Sequence, residues 1–251
     1  MPPVITPSTA ERKSRPTQVA EAIKTWVMEQ GLQSGDRLPG EAEMIERFGM
    51  SKGTIREATR ILEAQGLVRT RTGPGGGTFL HEMSNDRAQA LLSNFFYFRD
   101  LSLKDIYEIR LVLEPEIAAN LAGNLSNEQL QELADAMQAY AEPATTADQE
   151  RLQHVASLRF HAMLAGMSDN PLMAFIIAFV AKTLSDLTVY RKLYNPPNHE
   201  LWAKGKAYQS ELLDALRAGD SEHARKTMAA HMKTAQALMQ EQQAEVVRKF
   251  M

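Results

Sequence analysis

Lys52, Arg56 and Arg60 recur at i, i+4 and i+8 in "SKGTIREATRILEAQG". On a helix that spacing puts three cations on one face, because residues four apart lie on the same side. The opposite face carries Ile55, Ala58 and Leu62. Ser51, Gly53 and Thr54 fall at the start of the same helix, where free N–H groups and the helix dipole favour a phosphate. Side chains this short let a backbone approach closely. Lys52 and Arg56 can reach phosphates or guanine edges in a major groove. Further along, Gly73, Gly75, Gly76 and Gly77 strip a turn of side chains, and Arg69 and Arg71 flank it. Such a tip can come close to a sugar-phosphate wall or enter a minor groove. The chemistry on offer is recognition of a polyanion.

The elements that must position these groups can be read around them. Val19, Ala22, Ile23, Trp26 and Val27 form one face of a first helix that Gly31 ends. "QSGDRLPG" is a turn. Glu41 to Phe48 makes a short second helix, with Met44, Ile45 and Phe48 inward and Gly49 as its left-handed stop. Only Gly49 and Met50 separate it from Ser51, a good N-cap for the third helix. Gly66 closes that helix, and "LVRT" and "GTFL" are the arms of a hairpin around "RTGPGG". Three helices and a hairpin over residues 17–80 spell a helix-turn-helix with a wing.

Composition sets the frame. The chain has 251 residues and a net charge of −3, and the charge is uneven. Residues 1–80 hold eleven Lys/Arg against nine Asp/Glu, residues 81–251 seventeen against twenty-two, and residues 51–80 five against two. The basic excess is local, a pointer to a polyanionic partner. With no cysteine, a disulfide framework, a thiolate metal site and a cysteine nucleophile are excluded. The N-terminus lacks the apolar core of a signal peptide, and residues 1–16 read as a mobile polar segment. The longest apolar run, "PLMAFIIAFVA" at 171–181, is about half a membrane span and fits a buried helix better. A cytoplasmic protein with no membrane partner is expected.

Beyond Leu80 strand signals nearly vanish. Helices are expected at about 85–98, 103–122, 126–140, 148–166, 170–193, 199–217 and 220–248, with Ser126, Asp148, Asp169 or Asn170, Asn198 and Asp220 as N-caps or first-turn acids. The fold class is therefore mainly α, an N-terminal winged helix-turn-helix followed by an all-helical bundle. Such bundles often place small ligands between facing helices. No nucleophile–base arrangement, phosphate-loop motif or nucleotide-binding glycine pattern is present, so an enzyme is not expected.

"SGDRLPGEAEMIERFGMSKGTIREATRILEAQGLVRTRTGPGGGTFL" closely resembles the winged-helix domain of the GntR family of bacterial transcription regulators. "IYEIRLVLEPEIAANLA" and "LLDALRAGDSEHARKTMAAHM" resemble parts of the helical FCD ligand-binding domain of its FadR-type subfamily. The resemblance implies a DNA-binding domain at 17–80, a linker at 81–90 and an effector-binding, dimerising domain at 91–248. It implies a homodimer reading an inverted repeat in double-stranded DNA, under control of a small organic effector. The alternative is a helical interaction or metal-sensing regulator without an organic effector. The residues taken to face DNA are Arg37, Ser51, Lys52, Gly53, Thr54, Arg56, Arg60, Gly75, Gly76 and Gly77. Two departures, Ala42 in place of a basic residue and Lys52-Gly53 in place of Arg-Thr, count against the family's commonest half-site.

In many FCD domains an Asp and three His hold a divalent metal. The resemblance places those positions at Ser157, His161, Gln209 and His231, with His154 one turn before Ser157 as a substitute. Serine and glutamine are not usual ligands for such ions. The preferred reading is an effector site without metal, made of Arg110, Ser157, His161, Gln209 and His231. Arg110 would anchor a carboxylate, its alternative partner being Glu114 one turn on. No cofactor is expected; weak metal candidates are His154, His161 and His231. Tyr107, Tyr190 and Asn170 are further candidates for the cavity, Asn170 equally for a helix cap. "NFFYF" at 94–98 and the methionines at 163, 167, 173, 228 and 232 read as packing residues.

Overall fold

The structure, a computed structural model, describes residues 14–250 apart from 97 and 100, and the side chains of 245–250 are not described. Residues 1–13 of the expected mobile segment lie outside the described residues. The chain divides into two compact units after Ala88.

The first unit begins with α1 (Arg15–Glu29). It starts earlier than residue 17 because the Ser14 side chain accepts the Thr17 N–H, with Pro16 in the first turn. Then come α2 (Glu41–Phe48), α3 (Lys52–Ala64), β1 (Val68–Arg71) and β2 (Gly77–Leu80). Gly49 takes φ +62°, the left-handed stop that a side chain would strain. Val19, Ala20, Ile23, Met44, Ile55, Ala58, Leu62 and Val68 close one apolar core. Ala22, expected inward, is exposed and Ala20 is buried instead. At 100° per residue, Ala20 lies nearer the line through Val19, Ile23 and Val27 than Ala22 does. The strands pair antiparallel, Val68 opposite Leu80 and Arg71 opposite Gly77.

The second unit is helical throughout: α5 (Leu103–Leu121), α6 (Asn127–Gln138), α7 (Ala147–Gly166), α8 (Pro171–Tyr190), α9 (His199–Ala218) and α10 (Ser221–Phe250), while α4 (Asn85–Phe96) spans the division. Ser126, Asn170, Asn198 and Asp220 cap helices as expected. Thr146, not Asp148, caps α7, leaving Asp148 as a first-turn acid. Ser102 adds a capping box before α5. One core cluster gathers Ile117, Leu133, Phe160, Leu164, Ile177, Leu212, Met228 and Met232, with Met163, Met167 and Met173 packed against it.

Helix α8 corrects the reading of its apolar run. It has 20 residues, and an 18-residue window within it has mean hydropathy 1.8, long and apolar enough by length and composition to cross a membrane. The unbroken apolar run ends at the first charge, Lys182, whereas the helix continues past it. Ile177, Phe179, Val180, Ala181 and Leu184 are buried in the unit's core. The aromatic cluster is also only partly packing. Phe96 meets Phe179 at 6.0 Å, Phe95 holds the Arg99 guanidinium at 3.9 Å, and Phe98 is 91% exposed. Tyr97 lies outside the described residues.

Candidate nucleic-acid interface and ligand cleft

Helix α3 presents its cations as the spacing requires. The Ser51 hydroxyl accepts the Thr54 N–H at 3.3 Å and fixes the helix start. Nothing lies where a Cβ on Gly53 would be. Lys52 and Arg56 are each 60% exposed, yet they share one carboxylate. Glu41 Oε1 sits 3.0 Å from Lys52 Nζ, and Oε2 sits 2.5 Å from Arg56 Nε. Arg60 is held by Glu57 at 3.4 Å. Arg56, then Lys52, keep the Glu41 carboxyl below the usual carboxylate range.

Reading α3 alone missed Glu41, which stands in the first turn of α2. The three-residue link, Gly49 to Ser51, brings that turn against α3. Glu41→Gln is expected to tighten binding to any duplex and to steepen its salt dependence, because two cations become free for phosphates. Titration of an arbitrary duplex at several salt concentrations checks this, and an unchanged slope would reject it.

The wing shows why its glycines are there. Arg37 donates from Nη2 to the Gly76 carbonyl at 2.6 Å, so it braces the tip from within the unit. A Cβ on Gly77 would lie 2.6 Å from Arg37 Nε, and one on Gly76 2.5 Å from the Arg71 carbonyl oxygen. The turn backbone itself demands Gly76, whereas Gly77 leaves room for the Arg37 guanidinium. Gly75 has φ +74° and open space around it. Arg71 stacks over Phe79 at 4.7 Å.

The second site is a cleft in the helical unit of about 560 Å³, counting the open space at its mouth. Its wall includes Tyr107, Arg110, Tyr140, Glu150, His154, Ser157, His161, Lys206 and His231. Arg110, Ser157, His161 and His231 are thus brought together. Gln209 is fully buried behind them, with Nε2 3.4 Å from both Ser157 Oγ and His161 Nε2. Tyr107 lines the cleft, but Tyr190 is 86% exposed and Asn170 is committed to capping α8.

A buried charge pair forms the floor. Arg110 Nε donates to Glu114 Oε1 at 2.5 Å, and Glu114 Oε2 meets His161 Nδ1 at 2.5 Å. Burial alone would raise the Glu114 carboxyl. Burial is the largest single influence, but Arg110 and His161 together outweigh it and hold the group at about 2. An ionised Glu114 only accepts, so His161 carries its proton on Nδ1 and turns the Nε2 lone pair toward His231 Nε2, 3.2 Å away. Burial lowers the pKa of both imidazoles, and for His154, which bonds Thr188 at 3.3 Å, down to about 4. The sequence named Glu114 only as an alternative partner of Arg110. Here the pairing coexists with a free donor, because Arg110 Nη2 is buried on this floor without a partner.

The donor set does not fit the metal of related domains. Of the four positions, only His161 and His231 offer ring nitrogens, and His161 spends both of its own on Glu114 and His231. Among the described residues no group of three His, Asp or Glu side chains is placed to hold an ion.

Comparison with known proteins agrees with both halves. Residues 16–80 match the bacterial regulatory proteins of the gntR family, and residues 105–234 match the FCD domain. The chain belongs to the GntR family, in its FCD-bearing branch. It is similar to the HTH-type transcriptional regulator LutR of Bacillus subtilis (strain 168), with 28% identity over 80% of this chain and 90% of that protein. The HTH-type transcriptional repressor NanR of Salmonella newport (strain SL254) is 24% identical over 90% of this chain and 85% of its own. The solved structure of Streptococcus agalactiae GntR superposes with a TM-score of 0.63 at 25% identity, covering 88% of this chain and 99% of that one. This GntR-family chain is accordingly a transcription regulator and not an enzyme.

Proposed function

We propose that operator binding by this regulator is controlled by a small organic carboxylate seated in the helical cleft. The observation that carries the reading is Arg110. Its guanidinium is 2% exposed, it lines the cleft, and its Nη2 is unpartnered although Nε is saturated by Glu114. A buried donor left empty costs about 1–3 kcal/mol. A carboxylate would fill it with a charge-assisted bond, and His154, Ser157 and His231 on the same wall would complete its hydrogen bonding. The winged unit would read DNA with Ser51, Lys52, Gly53, Thr54, Arg56 and Arg60, in the cytoplasm where that DNA lies. Gly75 would bring the wing close, and Arg37, Gly76 and Gly77 would hold its shape.

Arg110→Lys tests the anchor. Lysine keeps a cation beside Glu114 but loses the planar fork. Effector affinity is expected to fall roughly 10- to 100-fold, the worth of a hydrogen bond to a charged group, with operator affinity unchanged. Titrating effector extracts of producing cells into the protein–DNA complex measures both, and an unaltered response in the lysine variant would remove Arg110 from the site.

A two-fold dimer is also part of this reading. One winged helix makes few contacts, and a symmetric pair doubles them on an inverted repeat. Sedimentation at micromolar concentration should give twice the chain mass. A monomer, with or without DNA, would contradict it.

A further inference from the structure

The cleft holds more than an anion anchor. Glu150, Gln153, His154, Ser157 and His161 lie at i, i+3, i+4, i+7 and i+11 along α7, so they form one stripe down a single wall. The lower end of the stripe, His154 to His161, faces the Arg110 region described above. The upper end is Glu150 and Gln153, and Tyr140 joins them on the cleft wall. At 1.5 Å per residue, Glu150 stands roughly 6 Å from the level of His154 and roughly 10 Å from that of Ser157.

At this upper end the hydrogen-bonding capacity is unspent. Glu150 is buried, and its Oε1 accepts the Asn198 N–H at 3.2 Å, while Oε2 has no partner. Gln153 donates from Nε2 to the Glu142 carbonyl at 2.8 Å, while its Oε1 has none. The buried Tyr140 hydroxyl is likewise unmatched. Two of these three atoms can only accept while Glu150 is ionised, and the third can do either. No lysine or arginine among the described residues forms a salt bridge with Glu150. At the lower end the unmatched atom on the cleft wall is instead a donor, Arg110 Nη2, while the Gln209 amide oxygen, also unmatched, belongs to a side chain behind the wall.

From this polarity we infer that the cleft takes a carboxylate whose far end carries hydroxyl or ammonium donors, several carbons from the acid group. Glu150, Gln153 and Tyr140 select that end. Plain alkanoates would fill the length but leave three buried polar atoms unmatched. A site built to bond a hydroxyl or amine rejects the analogue that lacks it far more strongly than an apolar pocket rejects a missing methylene. The inference rests on the carboxylate reading of Arg110 and adds to it the chemistry of the opposite end.

Calorimetric titration of the full chain with chain-matched probes tests it. Gluconate, galacturonate and 6-aminohexanoate carry acid and donors, hexanoate carries the acid alone, and sorbitol carries donors alone. At least one of the first three is expected to bind 10- to 100-fold tighter than hexanoate, the range for a hydrogen bond to a charged group, and sorbitol not at all. Glu150→Gln should erase that preference while leaving hexanoate binding as it was. If the variant is damaged at the Asn198 contact, shown by a lower melting temperature, Gln153→Met should reduce the same preference without disturbing it. Hexanoate binding as tightly as every donor-bearing acid would overturn the inference and leave the Arg110 anchor standing. Sorbitol matching gluconate, or no probe binding, would overturn the anchor and the inference with it. Preference retained in both variants would overturn the assignment of the upper end.

Discussion

Glu114→Ala is expected to destabilise the helical unit by about 3–5 kcal/mol, the cost of leaving one partner of a buried ion pair uncompensated. Arg110 is the largest fully buried side chain among the described residues, and Glu114 accepts a hydrogen bond from its Nε at 2.5 Å while also bonding His161. Removing the carboxylate strands a guanidinium and frees an imidazole N–H in the same step. Denaturant unfolding monitored by helical signal measures the loss. The double change Arg110→Met with Glu114→Leu should recover most of it, because an apolar pair of similar volume has no charge to desolvate. A cost below about 1 kcal/mol for Glu114→Ala would show that the pair is hydrated rather than buried.

The same cluster shapes the response to acid. Glu114 is depressed in the fold from 4.5 to about 2, so its contribution is complete above pH 4.5 and is lost as pH falls toward 2. His154, His161 and His231 are also depressed, His154 to about 4. They stay neutral in the fold while the unfolded chain takes up protons below about pH 6.5. All four groups therefore remove stability as pH falls, the histidines beginning near 6.5 and Glu114 below 4.5.

Why this cluster was only half legible in the sequence follows from how it is assembled. The winged unit is built from local signals: Ser51 caps the helix it precedes, Gly49 stops the one before, and the i, i+4, i+8 cations share a face by geometry alone. Helix ends in the bundle were readable for the same reason, since Ser126, Asn170 and Asn198 each act within three residues of themselves. The floor of the cleft joins α5, α7, α9 and α10, and its contacts are 47, 48 and 70 residues apart in the chain. No local pattern encodes such distances. Only the resemblance could place Arg110, His161, Gln209 and His231 in one region, and it said nothing of Glu150, Gln153 or Tyr140. Glu150 had a local mark: it is a carboxylate on the stripe that also carries His154, Ser157 and His161. Glu41 was hidden differently. Its two cations are 11 and 15 residues away, across a link that periodicity treats as a break.

Changing both Lys52 and Arg56 to Ala is expected to have the largest effect on DNA binding. Arg56 as a reader of a base edge is worth about 1–3 kcal/mol. Lys52 at the helix N-terminus contributes a phosphate contact there, and together the pair should amount to about 2–6 kcal/mol. One fewer neutralised phosphate should also flatten the plot of log K against log salt by about 0.9. The two residues should separate when changed singly. Arg56→Ala should relax discrimination at one base position, because a guanidinium reads guanine by two parallel bonds. Lys52→Ala should weaken specific and arbitrary duplexes alike, because a phosphate carries no sequence. A duplex selected from a random pool supplies the specific target, and Lys226→Ala, an exposed cation on α10, supplies the control. The outcome that decides is the single variants' behaviour on mismatched duplexes. If Arg56→Ala loses affinity evenly across all of them, the arginine holds the backbone rather than a base. If the double variant binds the selected duplex as the parent does, α3 is not the reading helix. Glu41 gives this test a second edge: once both cations are gone, Glu41→Gln should no longer alter binding, since its only two partners on α3 have been removed.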